Sequence, residues 1–69
     1  MSFFVIRDKH THGFFIKLDN DGASYWSESP FVAKRFGTEE DALDYYARYL
    51  ARENECLVCE MGGKLNETL

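Results

Sequence analysis

Cys56-Leu57-Val58-Cys59 has the C-x-x-C spacing of a metal or redox motif, and His10-x-His12 carries two further donors of the kind a zinc tetrahedron uses. The segment around the cysteines has the composition of a strand, where an odd separation sends the two side chains to opposite faces. Ligation or a redox disulfide requires convergent thiols. The spacing therefore predicts no metal and no cofactor, with Cys59 acting as a small buried hydrophobe and Cys56 across the sheet from it. His10 and His12 would suit acid–base work near neutral pH. No serine or cysteine stands at a recognisable nucleophile spacing from them, and they fall in a polar loop where histidines are solvated. Gly62-Gly63 lacks the lysine and following helix of a phosphate loop. No catalytic residue is expected, and the chain reads as a non-enzyme.

The elements that would position these residues follow from periodicity. Phe3 to Arg7 and Gly13 to Leu18 are short aromatic and β-branched runs separated by the polar stretch Asp8 to His12, which reads as a β-hairpin. Strict alternation would place Phe14, Ile16 and Leu18 on one face and Phe15, Lys17 and Asp19 on the other. Asp19-Asn20-Asp21-Gly22 is a strong turn signal, and a third strand through Tyr25 and Trp26 should follow. Ser29-Pro30 opens a short helix to Phe36 that Gly37 ends, and Thr38 caps a second helix running to about Glu53. At about 100° per residue, Ala42, Leu43, Tyr46, Ala47 and Leu50 gather on one stripe of that helix and face the sheet. Glu55 to Met61 alternates Leu57, Cys59 and Met61 against Cys56, Val58 and Glu60, as a final strand would. The expected fold is α+β, in the order βββ-α-α-β, with the helices on one face of a mainly antiparallel sheet. Residues 1–61 would form one domain, and 62–69 a loose tail.

At 69 residues, a chain buries only about 60% of its unfolded surface and supports one modest core. An apolar content of 45% with eleven aromatic residues is enough to build that core. No apolar run reaches the roughly 18 residues of a membrane span, and the first residues lack the basic stretch of an export signal, so a cytoplasmic protein without membrane contact is expected. Two cysteines are too few for a disulfide framework. The net charge of −4 is uneven: residues 1–37 hold five bases and four acids, and the remainder three bases and eight acids. That balance argues against direct nucleic-acid binding, although Lys17, Lys34 and Arg35 beside aromatics offer isolated contacts.

Two surfaces stand out. Glu39, Glu40, Asp41 and Asp44 place four carboxylates in six residues, one per about 2.3 Å of helix axis, close to the charge spacing of duplex DNA. A basic nucleic-acid groove would accept such a row, and the same acids complement the helix dipole. Tyr45 and Tyr49 flank the core stripe as aromatic anchors. The other surface is the free sheet face, where Phe15, Cys56, Val58 and one of Phe3 or Phe4 would form an unusually apolar patch. Self-association as a homodimer, or cover by a tail carrying Leu65 and Leu69, would each account for it.

The run Trp26-Ser-Glu-Ser-Pro30-Phe-Val-Ala33-Lys-Arg-Phe36-Gly-Thr38-Glu-Glu-Asp-Ala42, about a quarter of the chain, resembles a pattern in small phage and prophage proteins: tryptophan, then Ala-x-x-Phe, then a capped acidic helix. The resemblance implies Ala33 and Phe36 facing the core and no catalytic residue. It also implies a site-poor inhibitor of bacterial defence machinery, of the kind that includes anti-CRISPR proteins, acting in the host cytoplasm by occupying a surface of a host protein or complex. The contact residues would be Glu40, Asp41, Asp44, Tyr45 and Tyr49. A homodimeric regulatory module, and a metal-dependent nucleic-acid module using Cys56 and Cys59, are the rival readings.

Overall fold

A computed structural model of the chain describes residues 2–62. Four strands, β1 (Phe3–Asp8), β2 (Phe14–Leu18), β3 (Ser24–Ser27) and β4 (Cys56–Met61), form one antiparallel sheet in the order β3-β2-β1-β4. Between β3 and β4 run a single 3₁₀ turn at Pro30–Val32 and one helix, α1 (Glu39–Tyr45), which continues as a π-helical turn over Tyr46–Leu50. The fold is α+β. Apart from Gly62, the tail expected at 62–69 lies outside the described residues.

Both turns of the β1–β2–β3 meander are built from aspartates. Asp8 accepts from the backbone N–H groups of His10 at 2.7 Å and Thr11 at 3.0 Å, while His12 takes a left-handed φ of 66° and its N–H returns to the Asp8 carbonyl. Asp19 does the same work one turn later, accepting from Asp21 and Ala23 at 2.9 Å each. Gly22 supplies the positive φ of 86° there, a conformation glycine adopts without steric cost.

The register of β2 departs from simple alternation. A bulge between Phe15 and Lys17 inserts Ile16 as an extra residue, so the faces reverse midway along the strand. Phe14 lies on one side, and Phe15 and Leu18 share the other. The helix covers the Phe15 side, not the Phe14 and Ile16 side that alternation predicts. Its core joins Ile6, Phe15, Phe36, Ala42 and Leu50, with half-buried Cys56 and Val58 packed against them. Phe15 is 0% exposed. The expected free-face patch of Phe15, Cys56 and Val58 is thus corrected: these residues lie on the side the helix covers and form no exposed apolar face there.

The first expected helix is corrected as well. Ser29 caps one turn by accepting from Phe31, and Ala33 then becomes extended at ψ 153°. The reason is competition from the sheet. β1 and β2 pair only at Arg7 and Phe14 before diverging, and the 34–36 segment fills the gap. Lys34 donates to the Phe15 carbonyl at 2.9 Å, while Phe36 and Phe4 exchange bonds at 2.8 and 2.9 Å. In a helix Ala33 and Phe36 would share a face. In extended chain their odd separation divides them, Phe36 joining the helix side and Ala33 the opposite cluster with Val5 and Phe14.

The second helix starts where expected: Thr38 accepts from the Asp41 N–H at 3.1 Å. Its buried line is Ala42, Tyr45, Tyr46 and Leu50, whereas Leu43 is 51% exposed and Ala47 is also outside. The π turn, closed by Ala51 N–H to Tyr46 carbonyl at 2.9 Å, explains the length of this line. Four-residue steps drift about 40° each in an α-helix, and a wider turn lets Tyr46 and Leu50 stay above the sheet together. The segment ends in a polar knot, with the Tyr46 hydroxyl donating to the Asn54 carbonyl at 2.7 Å and the Asn54 amide donating to Asp8 at 3.1 Å. Among the described residues, no helix is long and apolar enough to cross a membrane.

Candidate interaction surface

Aromatic rings link the interior to the outer side of the helix. Buried Phe15 and Phe36 stand 5.5 and 5.4 Å from the half-buried ring of Tyr45, and Tyr45 stands 4.7 Å from Tyr49. Tyr49 is 56% exposed. Trp26 meets Phe15 edge-on at 5.5 Å, its indole N–H held by the Ser24 hydroxyl at 2.7 Å. Tilted and edge-on pairs of this kind contribute about 0.5–1.5 kcal/mol each beyond area burial. Tyr49 is therefore an exposed ring on a fixed base. Burial, and then the neighbouring Tyr49, raise the Tyr45 phenol above its ordinary value, which keeps it neutral.

The charged residues divide around this ladder. At about 100° per residue, Asp41, Tyr45 and Tyr49 fall on one stripe at four-residue steps, with Asp44 and Arg48 beside it. Glu40 lies one turn before Asp44 on the same outer face, next to Ala47. The five expected contact residues are all exposed or border solvent, with Tyr45 and Tyr49 toward the sheet and Glu40, Asp41 and Asp44 farther out on the helix. Asp44 is paired with Arg48 at 3.0 Å; both are mostly solvated, so the pair contributes only about 0.3–0.5 kcal/mol. Glu39, Glu40 and Asp41 have no ion pair among the described residues.

Lys34 was missed as a member of this patch. Its ammonium sits 5.5 Å from the ring centres of both Tyr45 and Phe36, within cation–π range. No spacing rule connects position 34 to 45, because the juxtaposition depends on the segment stitched between β1 and β2. The other bases considered for nucleic acid lie on rings too, Lys17 over Tyr25 and Arg35 over Phe3. They point from different parts of the fold and form no groove-tracking row.

The candidate metal donors are separated. Cys56 packs against the helix-side core and Cys59 against the Val5 and Phe14 cluster. Burial, and then the Asp8 carboxylate, push the Cys56 thiol up to about 11, so it stays protonated and unreactive at neutral pH. His10 is engaged with Glu55 at 2.8 Å, an exposed contact that holds the Glu55 carboxyl below its ordinary value. Among the described residues, no three histidine, cysteine or acidic side chains are gathered so as to hold a metal ion. Searches of family models, curated proteins and solved structures found no match to this chain.

Proposed function

We propose that this chain is a non-catalytic interaction protein that occupies a surface of a protein partner through the outer face of its helix. The supporting observation is Tyr49, exposed yet seated on Tyr45, which is itself wedged against Phe15 and Phe36. Binding energy concentrates in such pre-ordered aromatics surrounded by polar rims, because little side-chain entropy remains to be lost. Glu40, Asp41 and Asp44 supply the rim, and Arg48 and Lys34 moderate its charge.

The acidic face suits a partner with a basic surface. The resemblance of the Trp26–Ala42 run to phage proteins makes a CRISPR-type defence complex, with its basic nucleic-acid groove, the first partner class to test. The test adds the purified protein to a panel of such complexes and measures target-DNA binding. Inhibition by the wild type is expected. Tyr49→Ala should weaken it about thirtyfold, the effect of a hot spot of about 2 kcal/mol, and joint replacement of Glu40, Asp41 and Asp44 by alanine should abolish it while thermal unfolding stays cooperative. Complexes that bind DNA equally well with wild type and variants would remove the proposal.

A further inference from the structure

β4 forms one edge of the sheet, and its free side is the feature that carries an inference independent of the helix face. In the β1–β4 ladder, Lys9 donates to the Glu55 carbonyl at 2.8 Å, while Phe4 and Asp8 turn their N–H groups to the other neighbour of β1. With the observed register, Leu57, Cys59 and Met61 therefore direct their backbone groups toward β1, and Cys56, Val58 and Glu60 direct theirs outward. Among the described residues nothing bonds to those outward groups. The opposite edge differs. β3 is four residues long against six in β4, and short strands are a common protection against edge pairing. β4 has no proline, lysine or bulge, and its only charge is Glu60.

We propose that β4 pairs antiparallel with β4 of a second copy of this chain, about a two-fold axis at Val58, joining the two sheets into one. The strand is self-complementary in this register. Val58 meets Val58 of the copy, and Cys56 meets Glu60, so every outward-directed residue faces another and about six main-chain hydrogen bonds close. Like faces of the two sheets stay aligned, since the paired positions differ by an even number. Glu60 falls opposite a neutral residue and not opposite its own copy, which avoids the like-charge pair that would oppose association. Leu57, 51% exposed, comes to lie opposite Cys59 of the copy and loses exposure. A small domain with a modest core gains from such an extension.

The test follows sedimentation and residue-resolved amide exchange of the full chain up to roughly 1 mM, where even weak pairing is populated. Dimers are expected, with exchange of the Cys56, Val58 and Glu60 amides slowing as concentration rises while that of Leu57 and Cys59 changes little. Glu60→Pro removes an outward N–H from an exposed position that an edge strand tolerates, and should weaken dimerisation at least about tenfold. Leu57→Lys, which alters no backbone group, brings lysines together across the axis and should weaken it in a way that added salt relieves. A monomer throughout this range, a dimer whose outward β4 amides exchange as fast as in the monomer, or a dimer indifferent to both substitutions would each overturn the proposal.

Discussion

The two sides of this sheet are lined by the same strands, yet they are closed by different means. On the helix side, Ile6 and Phe15 lie under Ala42, Tyr45 and Leu50, and the aromatic contacts continue without a break from the interior to Tyr49. On the other, Val5 and Phe14 are buried with Ala33, Phe3, Cys59 and Met61, and charged groups complete the cover: the Arg7 guanidinium lies 5.1 Å from the Phe14 ring and that of Arg35 lies 4.4 Å from Phe3. Apolar stems with charged heads can cover a hydrophobic face without an additional layer. The helix thus does more than bury one side. It converts the rigidity of that side into an ordered outer surface, which the arginine-covered side lacks.

Truncation at the paired phenylalanines should expose this difference most strongly. Phe15→Ala leaves a cavity closed on all sides and should cost about 3–5 kcal/mol, enough to unfold a domain of this size. Phe14→Ala should cost less, about 2 kcal/mol, because the flexible arginine cover can settle into the space. Equal losses in urea denaturation would show that the two faces are closed alike.

Next in size is the knot at one end of the sheet. Asp8 is 5% exposed and accepts from His10, Thr11 and Asn54. Asp8→Ala should cost about 2–3 kcal/mol, since it strands donors in the hairpin and at the helix exit together. The Thr11 N–H chiefly lowers the Asp8 carboxyl, with the His10 N–H and the Asn54 amide adding to it against the opposing effect of burial. A carboxyl lowered by folding contributes stability that is complete above its unfolded value of about 3.9 and fades as pH falls through the lower folded value. Wild-type stability should therefore decline below about pH 4, and Asp8→Ala should flatten that part of the curve. Smallest of the series, Thr38→Ala removes the acceptor for the Asp41 N–H and should cost about 1 kcal/mol, read as a lower melting temperature with the helix contacts retained.

The parts of this fold that follow local rules were legible in the sequence. Asp19 to Gly22 and Ser29-Pro30 announce their turns through side-chain acceptors and allowed dihedrals, Thr38 announces its helix, and β4 alternates as written. What failed was everything decided by pairing at a distance. Ile16 carries no mark of a bulge, and one extra residue reverses the faces, so alternation alone puts Phe14 where the structure puts Phe15. Ala33 and Phe36 have helical spacing, but Lys34 bonds to the Phe15 carbonyl and Phe36 itself exchanges backbone bonds with Phe4. The candidate surface was legible to the same extent. Tyr45 and Tyr49 are one turn apart and had to meet, while Lys34 joined them only through the stitched segment.

Which phenylalanine lies beneath the helix decides whether Tyr49 has a fixed base, and proton–proton distance measurements in solution address it directly. Close contacts from the Phe15 ring to Ala42 and Tyr45, with the Phe14 ring close to Ala33 and remote from the helix, are the expected result. Contacts from the Phe14 ring to Ala42 would place the helix on the other side of the sheet and remove the base on which Tyr49 rests.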